Sequence, residues 1–230
     1  MPNLASTVHS WEWIAQNQQL IWSYLFSHLA VALPAIAASL LLSVPLARLA
    51  VGIRPLRGLI VSVSSLLYAV PSLAMFIILP IILGTNIRST ANVVVALTLY
   101  GMALLVPAAT EAFAAVDPKV LDAATAQGMT PTRRFVLVDL PLAGPTILAG
   151  LRVVTVSTIS LTTVGAVLGI ASLGRLFTDG FQRGLSVEII TGLVLTVILA
   201  LALESALTFA GRLLLPWTRT ATQKQGSAGA

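Results

Sequence analysis

The chain has no cysteine, which rules out disulfides, thiolate metal sites and cysteine nucleophiles. Charge is scarce too. Only 9% of its 230 residues are Asp, Glu, Lys or Arg, against about 25% in a soluble domain. With 57% hydrophobic residues, such a chain could bury a core but could not cover it with polar surface. A membrane protein is the economical reading. The histidines His9 and His28 have no carboxylate at metal-ligand spacing, so no metal site is expected. There is no His-Glu-x-x-His, no Gly-x-Ser-x-Gly and no Gly-x-x-x-x-Gly-Lys phosphate loop. Catalysis finds no support. The net charge of +5 would point to nucleic acid only if the basic residues clustered on a soluble face, and they do not. The opening Met1-Pro2-Asn3-Leu4 has no basic segment and no early apolar run, so no cleavable signal peptide is expected.

Long apolar runs are what the chain has instead. They cover about 24–49, 58–84, 91–115, 143–170 and 187–214, each near the ~20 residues that cross a bilayer as a helix. Pro34, Pro45, Pro71, Pro80 and Pro107 lie inside them. Neighbouring helices and Ser/Thr groups can satisfy the carbonyls that such prolines free. The fold expected is therefore an all-α integral membrane bundle of about five transmembrane helices. Its transmembrane body would cover 23–215, after a segment 1–22 at the outer interface and before a polar, disordered tail at 216–230. Trp11, Trp13 and Trp22 either anchor that first segment at the interface or pack against the first span. In the fourth span Thr155, Ser157, Thr158, Ser160, Thr162 and Thr163 recur. Their hydroxyls either hold helices together or line a pathway, and both readings place this span centrally.

Basic residues fix the orientation. With the N-terminus outside, the inner side collects Arg48, Arg54, Arg57, Lys119, Arg133, Arg134, Arg152, Arg212, Arg219 and Lys224. The outer side keeps only Arg88, Arg175 and Arg183. The positive-inside rule selects this arrangement, with the C-terminus cytoplasmic.

The stretch from Asp117 to Arg152 is the longest polar interruption between apolar runs, and it falls on the inner side. It contains two helix starts of one design: Asp117 before Pro118 and Thr130 before Pro131. The capping oxygen binds an orphan N–H, and Pro at the first position has none to satisfy. Gly128 would end the first helix in a left-handed turn, and Pro141 would stop the second. Two helices of roughly ten residues are too short to be stable alone. Val120, Ala124 and Gln127 share one face of the first, a ridge of little bulk suited to a groove on a partner. An ordinary helical loop is the plainer alternative.

Asp122-Ala123-Ala124, Gly128 and Leu140-Pro141 resemble the coupling loop of ABC importer permeases, whose motif begins Glu-Ala-Ala, keeps the Gly and ends at Leu-Pro. Asp122 departs from the usual Glu, keeping the charge with less reach. Over about 24–212 the chain also resembles the osmoprotectant branch of these permeases. Pro71-Ser72-Leu73-Ala74, Ala96-Leu97 with Leu99-Tyr100, and Val116-Asp117-Pro118 carry that likeness. The branch usually has Gly-Ala-Gly-Gly-Leu-Gly after the fourth span. Here Gly169-Ile170-Ala171-Ser172-Leu173-Gly174 has lost two of those glycines, and a stiffer outer loop is expected.

The resemblance implies a transmembrane subunit in the bacterial inner membrane for a small quaternary amine such as glycine betaine, choline or carnitine. A methionine or other amino-acid importer is the alternative, and a non-transporting scaffold a more distant one. Implied partners are ABC ATPase subunits carrying ATP and Mg, a second identical or paralogous permease, and an extracytoplasmic substrate-binding protein. The chain would bind no cofactor of its own. A cytoplasmic two-helix coupling loop at 117–141 would meet the ATPase through Val120, Leu121, Asp122, Ala123, Ala124, Gln127, Gly128, Met129 and Thr130. Glu204 within the fifth span and Glu111 near the inner end of the third need partners at that depth. Glu204 would pair with Arg152 or Arg212, or face the pathway. Tyr68, Pro71, Ser72, Tyr100, Thr158 and Thr162 are pathway candidates. Tyr68, Tyr100 and Phe76 could offer ring faces to a quaternary ammonium, or could simply pack.

Overall fold

The computed structural model describes residues 12–217. The expectations for Trp11 and for the tail beyond Trp217 fall outside them. Every regular element among the described residues is helical. In chain order these are α1 (Gln18–Gly52), α2 (Arg54–Ala69), α3 (Ser72–Leu83), α4 (Thr90–Ala114), α5 (Pro118–Ala126), α6 (Pro131–Arg134), α7 (Leu140–Val164), α8 (Gly174–Arg183) and α9 (Ser186–Leu214). A π turn at Phe135–Asp139 joins α6 to α7, and a 3₁₀ turn at Gly165–Leu168 follows α7. By length and composition, α1, α4, the run Pro131–Leu168 and α9 can each cross a membrane, and the broken pair α2/α3 makes a fifth span if counted as one.

That break corrects the single helix expected over 58–84. Pro34 and Pro45 stay within α1, and Pro80, Pro107 and Pro145 within α3, α4 and α7. Pro71 does not: its backbone is extended at φ −58°, ψ 130°. Proline has no N–H to continue the ladder and pushes the residue before it out of the helical region. The break frees the Val70 carbonyl, and the Tyr100 hydroxyl donates to it at 2.6 Å.

The described residues form two units. The first comprises residues to 38, 70–101 and 155–202. Its core is Val31, Ala35, Phe76, Leu79, Val93, Ala96, Leu97 and Ile170. Ala35 and Ala96 are fully buried, as close helix approach requires. After α7 the chain turns on Gly169, at φ +85°, and Gly174 lies so close to the Thr163 backbone that a Cβ there would collide with its carbonyl. These are the two glycines kept from the usual run. Ala171 and Ser172 occupy the lost positions without left-handed backbone, and the Ser172 hydroxyl accepts the Gly174 N–H at 3.2 Å.

The second unit comprises 39–69, 102–154 and the residues from 203. Its helices meet at small residues. A Cβ at Gly150 would press on Leu105 and Ala108, and one at Gly211 would strike Leu148.

Gly174→Ala is expected to lower the thermal midpoint of the purified protein markedly, since overpacking against backbone costs about 1–3 kcal/mol. Gly169→Ala, strained only by its positive φ with open space around it, should cost about 1 kcal/mol. Equal midpoints for the two variants in detergent would contradict this reading of the turn.

Candidate functional site: the 117–141 segment and its ion pairs

Helix α5 starts as its sequence dictates. The Asp117 carboxylate accepts the Lys119 N–H at 2.9 Å, and Pro118 takes the first helical position. Gly128, at φ +81°, closes the helix in the left-handed region. The Gly128 N–H donates to the Thr125 carbonyl at 2.9 Å and the Met129 N–H to that of Ala124 at 3.3 Å. Thr130 caps the next start, accepting the Arg133 N–H at 3.4 Å, with Pro131 behind it.

Two expectations are corrected here. Pro141 does not stop the second helix. α6 has four residues and runs through the π turn into α7. The Leu140 N–H reaches back to the Phe135 carbonyl, five residues away. This wider turn absorbs the register change before Pro141, whose ring would otherwise press on the carbonyl four residues back. The segment is therefore one free helix, α5, hinged to the foot of a long one. Second, Val120, Ala124 and Gln127 do not form one outward ridge. Ala124 is buried, while Val120 and Gln127 are exposed. A nine-residue helix needs a contact to rest on, and Ala124 supplies it. Asp122, Ala123, Gly128 and Thr130 are exposed as well, and Leu121 and Met129 are half-buried.

What holds α5 in place was not assigned from the sequence. The Arg134 guanidinium donates to the Thr125 hydroxyl at 3.1 Å, and that hydroxyl donates to the Leu121 carbonyl at 2.8 Å. Arg134 Nε also lies 3.5 Å from Asp139 Oδ1, an ion pair rather than a hydrogen bond. Arg48 of α1 approaches the other oxygen of Asp139 at 3.1 Å. Only 4% of the Asp139 side chain is exposed. Arg48 also sits over the Phe135 ring at 5.7 Å, and Phe135 packs against Phe113 of α4 at 5.7 Å between centroids. A buried carboxylate thus ties α1, α6 and the π turn together, and Arg134 extends the tie to α5. A single acid between Phe135-Val136-Leu137-Val138 and Leu140-Pro141 was the available signal.

In the same unit Arg152 of α7 and Glu204 of α9 form an ion pair at 2.5 Å. Glu111, near the end of α4, is exposed. Pro71 (exposed), Ser72 (half-buried), Tyr100, Thr158 and Thr162 belong to the first unit. Tyr100 is buried with its hydroxyl committed to Val70. Thr158 and Thr162 are buried, and the Thr162 hydroxyl donates to the Thr158 carbonyl at 2.7 Å. Phe76 is a core residue. Tyr68, half-exposed, belongs to the second unit.

Residues 39–220 match the family of binding-protein-dependent transport system inner membrane components. The chain belongs to that family. Among relatives of this permease, the choline transport system permease protein OpuBB of Bacillus subtilis is 29% identical over 191 residues, covering 83% of this chain and 87% of that one. The osmoprotectant import permease protein OsmW of Salmonella typhimurium is 28% identical over 201 residues, covering 86% and 92%. The ergothioneine transport permease/ergothioneine binding protein EgtU of Helicobacter pylori is 30% identical over 172 residues, covering 74% of this chain and 31% of that longer one. The fold is similar to that of a chain in a solved structure of the MetNI methionine ABC transporter, with a TM-score of 0.74 at 19% identity over 86% of this chain and 98% of that one. The permease is a membrane-spanning transport subunit, not an enzyme, and in its family ATP belongs to a partner ATPase.

Asp139→Asn should destabilise the permease by about 3–5 kcal/mol, because it leaves two guanidinium groups without their buried counter-charge. Arg48→Gln removes a partner that is 30% exposed and should cost less. Thermal unfolding of the two variants against the wild type checks the order.

Proposed function

We propose that this permease forms the translocation pathway of an importer for a small quaternary-amine osmoprotectant. Glycine betaine, choline and carnitine are the first candidates. The observation that carries the reading is the nearly full-length likeness to permeases named for such substrates. Choline, glycine betaine, carnitine and ergothioneine share one chemical element, a trimethylammonium group. Two copies of the chain, or this chain with a paralogue, enclose the pathway, and an extracytoplasmic binding protein delivers the ligand. The N-terminus is outside and the C-terminus cytoplasmic, as the distribution of Arg and Lys favours. Residues 23–215 make the membrane body, flanked by 1–22 at the outer interface and the polar tail 216–230.

Residues 117–141 are the cytoplasmic coupling segment. Val120, Asp122, Ala123, Gln127, Gly128 and Thr130 meet a groove on the ATPase, with Leu121 and Met129 partly exposed behind them; Ala124 seats α5 on its own unit. ATP-driven closure of the ATPases displaces α5 as a rigid body. The Thr125–Arg134 bond and the Asp139 ion pairs pass that displacement to α1 and α7. Asp122, shorter than the usual Glu, sets a closer contact there. Arg152–Glu204 serves as a structural ion pair, and Glu111 remains a surface candidate for one. The substrate path draws on Pro71, Ser72, Thr158, Thr162 and the rings of Tyr68 and Tyr100, whose hydroxyl is already used within the fold.

Gly128→Pro, or a deletion within 120–127, should abolish uptake in the reconstituted transporter while leaving membrane insertion intact. Substrate-stimulated ATP turnover at the wild-type rate in either variant would sink the coupling role. Excess glycine betaine or choline should suppress uptake of a labelled quaternary amine, and methionine should not. The reverse pattern would move the chain to the amino-acid importers. Glu204→Gln should weaken assembly; normal assembly with uptake lost would instead put Glu204 in the pathway.

A further inference from the structure

A cavity of about 530 Å³ lies between α8 and the start of α9, lined by Phe177, Thr178, Phe181, Ile189 and Leu193. All five belong to the first unit. Phe177 and Phe181 share a face of α8 at a spacing of four, as Ile189 and Leu193 do on α9. Two glycines bring the helices together. A Cβ on Gly180 would come within 2.8 Å of the Ile189 side chain and 3.1 Å of the Glu188 Cβ. One on Gly192 would meet the Phe177 ring at 3.1 Å. Two aromatic rings thus flank a short groove, and Phe181 is 81% exposed.

Glu188 stands behind that groove. It precedes Ile189 and packs on Gly180, which lies between the two phenylalanines in sequence. Its side chain is fully buried, and neither carboxylate oxygen has a hydrogen-bond partner among the described residues. Arg183 approaches from the exposed end of α8 only to 4.0 Å, the limit of an ion pair. An exposed guanidinium at that distance is screened by solvent and compensates little. Arg175 and Asp179 face each other at 3.9 Å and add no net charge. A buried carboxylate so weakly balanced is costly, and it calls for a cation. The rings alone would read as interfacial anchors; the carboxylate behind them has no part in that reading.

The kind of cation follows from what the groove lacks. Thr178 carries the one polar side chain among the lining residues, and its hydroxyl already donates to the Arg175 carbonyl at 3.2 Å. A guanidinium, or an ammonium with N–H groups, would leave its donors facing carbon, at a cost in desolvation. A trimethylammonium has no donors to satisfy. Its methyl groups suit ring faces, where cation–π attraction holds them. A carboxylate out of contact still acts on it through charge, across a medium of low dielectric.

We propose that the groove between α8 and α9 binds the trimethylammonium group of the cargo, with Phe177 and Phe181 as ring faces and Glu188 as buried counter-charge. The inference rests on the quaternary-amine reading above and gives the permease a contact of its own with the cargo. In the orientation proposed above, the groove lies on the outer side, where the cargo arrives.

The test uses the full-length permease in nanodiscs of phosphatidylglycerol and phosphatidylethanolamine, which carry no trimethylammonium. Saturation-transfer NMR compares choline with dimethylbutanol, its uncharged carbon isostere. Choline should bind the more tightly of the two. Phe181→Ala, at an exposed position, should weaken choline binding about five- to tenfold at an unchanged thermal midpoint. Glu188→Gln should weaken choline by a similar factor and leave the isostere unaffected. Equal binding of choline and isostere to the wild type, or choline binding that survives both substitutions, would overturn the site. Choline should bind as well when phosphatidylcholine replaces phosphatidylethanolamine; its loss there would assign the groove to a lipid headgroup instead. If the site fails while glycine betaine still suppresses uptake by the whole transporter, the substrate class stands without it. Loss of that suppression would strike the substrate class itself.

Discussion

A backbone N–H or C=O left unpaired in hydrocarbon costs several kcal/mol, and the architecture of this chain follows from avoiding that cost. Its long helices satisfy their own ladders. Where a helix is interrupted, a specific group takes over the freed partner. The break at Pro71 hands the Val70 carbonyl to the Tyr100 hydroxyl. The 3₁₀ turn after α7 closes with the Gly169 N–H on the Ala166 carbonyl and the Ile170 N–H on that of Gly165. The foot of α7 meets Pro141 with a π turn. Each irregularity is local and accounted for.

Charge obeys the same rule. Among the described residues two ion pairs join helices distant in sequence, Arg48 with Asp139 and Arg152 with Glu204. The first is the more consequential. Asp139 is almost fully enclosed and sits at the junction between the exposed helix α5 and the membrane body. Replacing it with an apolar residue would strand both guanidinium groups. It would also leave α5 resting on Ala124 and one hydroxyl. Holding a short helix by buried charge gives it a defined position without a large apolar contact, which suits an element that must present its other face to a partner.

Composition, hydrophobic runs and cap signals made the all-helical membrane fold and the boundaries of α5 legible. Asp117, Pro118 and Gly128 act where their chemistry says they should. The limits were physical too. Proline has two outcomes inside a span, and nothing local in sequence separates Pro71, which breaks, from Pro107, which does not. That depends on whether a group such as Tyr100 is placed to receive the carbonyl. Pro141 was misread for the same reason, since a π turn has no propensity signature. The outward ridge failed because periodicity says which residues share a face but not which face is covered. Asp139 was visible as a lone acid beside an apolar run. Its partner Arg48 lies 91 positions earlier in the numbering, and no spacing rule connects them.

The π turn has one more implication. Such a turn holds a residue more than an α-helical one, so it takes up one residue between α6 and α7 without turning them against each other. Removing one residue from Phe135–Asp139 would close an ordinary α turn with α6 facing as before, whereas removing one from the α-helical turns beside it would turn everything before it by about 100° around the α7 axis. Val120, Asp122 and Ala123 would then point to a different quarter, although no residue on α5 itself had changed. The direction in which this protein presents its exposed helix is thus encoded in a length, and the π turn is the one place along that length where a single-residue gap can be absorbed.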